Sequence, residues 1–122
     1  MVEWLLQTPA GLRVKDRILS EGETVHVPHL LDLEVVQTLR RLTATHRSSY
    51  ERAQESLRIL RTLPLKRYDH LPLLGRVWAL RVNLTAYDGV YIALAEALAA
   101  PLVTCDAKIA AAAGHGARVE LI

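Results

Sequence analysis

The chain has 122 residues, 51% hydrophobic and 23% charged, which is the composition of one globular domain with a real core and too short for two of ordinary size. No apolar run approaches the roughly 18 residues of a membrane span, and no basic-then-apolar leader opens the chain, so a soluble, cytoplasmic protein is expected. A net charge of +2, from 15 basic and 13 acidic residues, is too mild to diagnose nucleic-acid binding by itself, and the single cysteine excludes an internal disulfide.

Thr8 and Pro9 read as an N-cap followed by proline at the first helical position, opening a helix that runs to about Ser20 and stops before Gly22. "TVHVP" alternates as a short strand closed by Pro28. From Leu30 to Leu42 the spacing predicts a helix burying Leu31, Val35, Leu39 and Leu42, with Glu34 at the edge of that stripe. Ser48 or Ser49 caps a further helix to about Leu63, ended by Pro64, and "LKRY" is a weak strand. Two more helices are predicted, over about 71–82 and 86–99. Leu102 to Thr104 then reads as a strand entering a turn at Asp106. An alanine-rich helix comes next, with Gly114 where a C-terminal glycine belongs, and "ARVELI" ends the chain as a strand. Alternating strands and helices predict an α/β fold with a parallel sheet, a single domain over 1–122, and ligand sites beyond the carboxyl ends of strands. Glu34 and Asp106 both come soon after strands, so the two carboxylates are expected on one rim. Cys105 is expected to be a small core residue.

In "TAYDGVYIALAEAL", Leu84, Asp88, Ile92 and Ala95 fall along one side of a helix, which points the Asp88 carboxylate where a leucine would be expected. A charge there calls for an arginine, a set of hydrogen-bond donors, or a metal ion shared with other carboxylates. Taken singly, Asp106 reads as an N-cap, and Glu34 as a boundary charge paired with something like Arg41. Taken together, three oxygen ligands from separate elements suit a hard cation such as Mg²⁺ or Mn²⁺ and metal-assisted phosphodiester hydrolysis. Five histidines in no recurring ligand spacing argue against zinc. Arg40, Arg41, Arg47, Arg52, Arg58, Arg61, Lys66 and Arg67 crowd the middle of the chain, as a solvated helical surface or a phosphate-facing patch.

"VPHLLDLEVVQTLRR", "TAYDGVYIALAEAL" and "LVTCDAKIAAAAG", in that order, resemble the PIN-domain ribonucleases, and within them the VapC-type toxins of bacterial toxin–antitoxin pairs. The resemblance implies a three-layer α/β/α fold with a short parallel sheet and a Mg²⁺- or Mn²⁺-dependent endoribonuclease acting on structured RNA, a tRNA or an rRNA loop. It also implies a homodimer and inhibition by a VapB-like antitoxin. The family's metal-binding acids match Glu34, Asp88 and Asp106, Thr104 stands where a polar group accompanies the last aspartate, and Arg40 and Arg41 are candidates for contact with RNA. Gln37 replaces a common asparagine. The opening "MVEWLLQTPAG" matches the family only beyond its first strand, so most of that strand and its catalytic aspartate are expected to be missing. A late start, a truncation and a degraded paralogue all fit that reading. Glu3 is assigned to the helix after that strand as a surface charge. The rival to an enzyme is an inactive PIN-like module that dimerises and binds antitoxin or RNA without cutting. Trp4, Leu5 and Leu12 are either core or an apolar groove for a partner helix.

Overall fold

The computed structural model describes residues 1–20 and 22–122, which divide into two compact units, Met1–His26 with Leu30–Lys66 and Val27–His29 with Arg67–Ile122. In the first unit, α1 (Val2–Leu5) turns through Gln7, at a left-handed φ of 55°, into α2 (Pro9–Ile18). Thr8 starts α2 as its sequence implies. The Thr8 hydroxyl accepts the Gly11 N–H at 3.1 Å, and Pro9 has no N–H to leave unpaired at the first helical position. A Cβ on Gly11 would stand 1.9 Å from the Glu3 carbonyl oxygen, so glycine is what lets the α1 and α2 backbones meet. Glu3 lies exposed in the short α1, as expected of a surface charge in the first helix, and its carboxylate receives the Thr8 hydroxyl.

α3 (Leu30–Ala44) buries Leu31, Val35 and Leu39 on one stripe, with Leu42 half-buried. α4 (Tyr50–Thr62) is capped by the Ser49 hydroxyl, which accepts the Arg52 N–H at 3.1 Å, and it buries Ala53, Ser56 and Leu60. Buried Ser56 donates its hydroxyl to the Arg52 carbonyl at 2.9 Å, so the polar group is satisfied inside the helix. The apolar amino-terminal residues divide: Leu5 is core, Trp4 is half-buried and Leu12 is exposed.

Among the described residues the strands form two pairs instead of one continuous sheet. β1 (Val25–Pro28) pairs with β2 (Leu65–Tyr68), and β3 (Leu102–Thr104) runs parallel to β4 (Val119–Leu121) with Leu102 opposite Val119 and Thr104 opposite Leu121. Strands this short, bonded on one side, depend on helix packing for their stability.

In the second unit the expected 71–82 helix opens as a 3₁₀ turn at Leu71–Leu73, around Pro72, before α5 (Leu74–Ala79). Its Val77 side chain lies 3.6 Å from where a Gly89 Cβ would be, on α6 (Ala86–Leu98). α6 buries Val90, Ile92, Ala93, Leu94 and Ala95, so it is apolar nearly all round, as an enclosed helix must be. Leu80, Leu84, Ile92 and Ile109 form the core here, with Leu102 and Val119 packed on them. α7 (Ala107–Ala111) is shorter than its alanine-rich sequence suggests. Ala112 is already extended, and Gly114, at φ 87°, lies in the loop beyond. Cys105, expected in the core, is exposed in the turn between β3 and α7. No described helix is long and apolar enough to cross a membrane.

Candidate functional site

Asp88 occupies the first turn of α6, where its N–H donates to the Thr85 hydroxyl at 3.1 Å and its half-buried carboxylate faces the positive end of the helix dipole. The sequence expectation of a charge deep in an apolar face is thereby corrected, and the signal was legible: Thr85-Ala-Tyr-Asp88 has the spacing of a capping box. The carboxylate has no hydrogen bond or ion pair among the described residues, which removes the arginine-pair reading.

Asp106 caps α7. Its Oδ1 accepts the Lys108 N–H at 2.8 Å, while its own N–H donates to the Thr104 hydroxyl at 3.0 Å. The register of β3 on β4 places this turn, through Leu102 N to Arg118 O at 2.8 Å and Ile122 N to Thr104 O at 2.9 Å. Thr104 and Asp106 are therefore joined directly, and Asp106 keeps one oxygen uncommitted among the described residues.

Glu34 lies in the first unit, half-buried at the edge of the α3 stripe as its spacing implies; it is not free of partners. Arg40 and Arg41 are exposed on the same helix without partners among the described residues. Arg52 reaches the Leu6 carbonyl, and Arg58 is forked onto Glu55, which it holds below the usual carboxylate range mainly through their hydrogen bonds.

The chemistry of Asp88 and Asp106 suits a hard divalent cation, since both present carboxylate oxygens without a competing cation among the described residues. Within neither unit, among the described residues, do three His, Cys, Asp or Glu side chains gather into a complete ligand set.

A cluster that sequence reasoning missed lies on the far turns of α6. Glu96 takes a fork from Arg76, Nε to Oε1 at 2.9 Å and Nη2 to Oε2 at 3.0 Å, and accepts the Gly116 N–H at 3.1 Å. Arg76 also donates to the Gly114 carbonyl at 3.3 Å, so the pair clamps the loop leading into β4. The Arg76 hydrogen bonds, helped by Gly116, hold the Glu96 carboxyl below its ordinary range. A shallow cleft beside it, lined by Ala95, Glu96, Pro101 and Arg118, includes none of the candidate carboxylates.

Residues 1–115 match the family described as PIN domain. Ribonuclease VapC12 of Mycobacterium tuberculosis is 39% identical over 121 residues, covering 99% of this chain and 92% of the relative. Ribonuclease VapC1 of the same organism is 44% identical over 107 residues, 87% of this chain and 80% of its own. VapC ribonuclease Mb0985 of Mycobacterium bovis is 43% identical over 93 residues, 76% and 73% of the two. A family match along nearly the whole chain, joined to relatives of this similarity and coverage, means that the chain belongs to the PIN-domain family, alongside the VapC ribonucleases.

Proposed function

We propose that this protein is a VapC-type endoribonuclease toxin: it hydrolyses phosphodiester bonds in structured RNA, a tRNA or an rRNA loop, and depends on Mg²⁺ or Mn²⁺. Residues 1–122 act as a single domain in the cytoplasm, associate as a homodimer and are restrained by a VapB-like antitoxin. The relatives' ribonuclease names support the reaction class. The single observation that carries the site is the Asp88 carboxylate, held in the first turn of α6 with no cation of its own among the described residues.

In this reading Glu34, Asp88 and Asp106 hold the cation, which when bound supplies Lewis acidity at the scissile phosphate. The chain's own residues do the rest. Thr85 fixes the backbone of the turn that carries Asp88, Thr104 fixes the backbone at Asp106, and the Lys108 N–H holds one oxygen of the Asp106 carboxylate in place before reaction. Arg40 and Arg41, exposed and without partners among the described residues, bind RNA phosphates and orient the strand.

The rival reading, a module that binds RNA or antitoxin without cutting, draws on the absence, among the described residues, of a three-carboxylate group inside either unit. One assay separates the two: cleavage of folded RNA by the purified chain with Mn²⁺, with EDTA, and after Asp88→Asn. The enzyme reading expects cleavage in the first case alone. RNA bound but uncut in all three favours the module.

A further inference from the structure

Between Glu34 and Glu51 the chain has no acidic residue, while Arg40, Arg41, His46 and Arg47 all fall there, across the end of α3 and the turn into α4. All four are exposed, and none has an ion pair or a side-chain hydrogen bond among the described residues. Other arginines are answered by acids: Arg17 by Glu23, Arg58 by Glu55, Arg76 by Glu96 and Arg118 by Glu120. Cations near the end of a helix complement its dipole, but that role is confined to the last turn, and Arg47 stands beyond it.

The turn itself is held in a costly form. His46 has a left-handed φ of 58°, with its N–H on the Thr43 carbonyl at 3.1 Å and the Arg47 N–H on the Leu42 carbonyl at 2.9 Å. Glycine makes this helix stop most cheaply, since a Cβ is crowded in that conformation. A histidine kept there, next to Arg47, is backbone strain of the kind that collects where a side chain is used. Thr38, Arg41 and Thr45 follow Glu34 at steps of four, three and four residues, which is one face of α3. Both threonine hydroxyls donate to carbonyls on that face, of Glu34 and Arg41, at 2.9 Å. From Thr43 to Ser49 the only apolar side chain is that of Ala44. A protein partner would find almost nothing apolar to bury at this tip, whereas polar and strongly basic surface is what a phosphate backbone meets.

At about 1.5 Å per residue, α3 carries the tip about 15 Å from Glu34. Successive phosphates of one strand lie about 3.4 Å apart along a duplex axis, so that reach spans about four or five base pairs. We infer that the α3–α4 tip, through His46 and Arg47, holds the phosphate backbone of a double-helical stem in the substrate RNA, about four or five base pairs from the bond to be cut, with Arg41 guiding the strand between. This rests on the proposed ribonuclease reading, in which Glu34 marks the cut, and names the part of the RNA by which a folded substrate is preferred to a free loop.

The test is fluorescence anisotropy of the full chain with two RNAs that share one loop, one closed by about two base pairs and the other by about eight, in EDTA so that neither is cut. The parent is expected to bind the longer stem roughly tenfold tighter, and Arg47→Ala and His46→Gly should each reduce that advantage roughly threefold or more. His46→Gly should do so while melting no lower than the parent, because glycine relieves the turn. Lys15→Ala, which removes a cation on α2, should keep the parent's ratio. Cleavage of both RNAs with Mn²⁺ separates this surface from the reaction. A parent that cuts RNA but binds and cuts the two stems alike overturns the tip and leaves the ribonuclease reading standing. A parent that prefers the long stem through Arg47 but cuts neither RNA supports the tip and overturns the ribonuclease reading. Binding of the long stem by Arg47→Ala as tightly as by the parent overturns the tip, also where that variant loses an antitoxin peptide instead.

Discussion

The Asp88 carboxylate has no counter-ion among the described residues, so its replacement by asparagine strands no arginine. Asp88→Asn in EDTA should therefore cost less than about 1 kcal/mol, the scale of a charge–dipole interaction. A broken buried ion pair would cost about 3–5 kcal/mol, and urea unfolding distinguishes the two. Asp106 needs a different pair of variants because its side chain also caps α7. Asp106→Ala should cost about 1 kcal/mol through the lost cap, whereas Asp106→Asn keeps the cap and tests the charge alone, by unfolding and cleavage side by side. Asp106 was legible as a cap because a strand running into an alanine-rich segment fixes where the helix starts. Asp88 stood out as an unusual acid by its helical face, while its place in the first turn is carried by the capping-box spacing Thr85-Ala-Tyr-Asp88, because helical periodicity alone reports which face a residue takes and not how far it stands from the N-terminus. Cys105 was misread for a related reason: its small apolar character says core, while its place in the turn before Asp106 exposes it.

At the level of elements, Gly11 holds α1 against α2. Gly11→Ala puts a methyl group where the Glu3 carbonyl already stands, at 1.9 Å, and should destabilise by about 1–3 kcal/mol, read as a lowered unfolding midpoint. The Arg76–Glu96 clamp carries a pH signature. Because hydrogen bonds from Arg76 hold the Glu96 carboxyl below its ordinary 4.5, the folded chain binds fewer protons there than the unfolded one. Its contribution is complete above that ordinary value and is lost as the pH falls through the lowered one. Thermal melts over the acid range should decline accordingly, and Arg76→Ala should flatten that part of the decline. The helices over 30–44, 50–62 and 86–98 were legible because each has a cap, a breaker or a full apolar stripe. α1, at four residues, is too short to show a period, and the clamp joins residues 20 apart whose charges look like ordinary surface charges one at a time. The pairing of strands into two ladders depends on which backbones meet, and strands of three or four residues carry little pattern to reveal it.

For the molecule as a whole, RNA binding should weaken as salt rises, because each neutralised phosphate releases condensed counterions. Arg40→Ala and Arg41→Ala should each reduce the slope of log affinity against log salt by about 1, uniformly across RNA sequences. Arg58→Ala should change it less, since that guanidinium is already forked onto Glu55. A flat salt dependence would return these arginines to the role of solvated surface. If Glu34, Asp88 and Asp106 serve one divalent cation, as proposed, calorimetric titration of Mn²⁺ into the parent, Glu34→Gln, Asp88→Asn and Asp106→Asn should show binding by the parent and loss of that binding in each single variant, with circular dichroism unchanged. Binding as tight as the parent's in one of the three variants refutes the shared site.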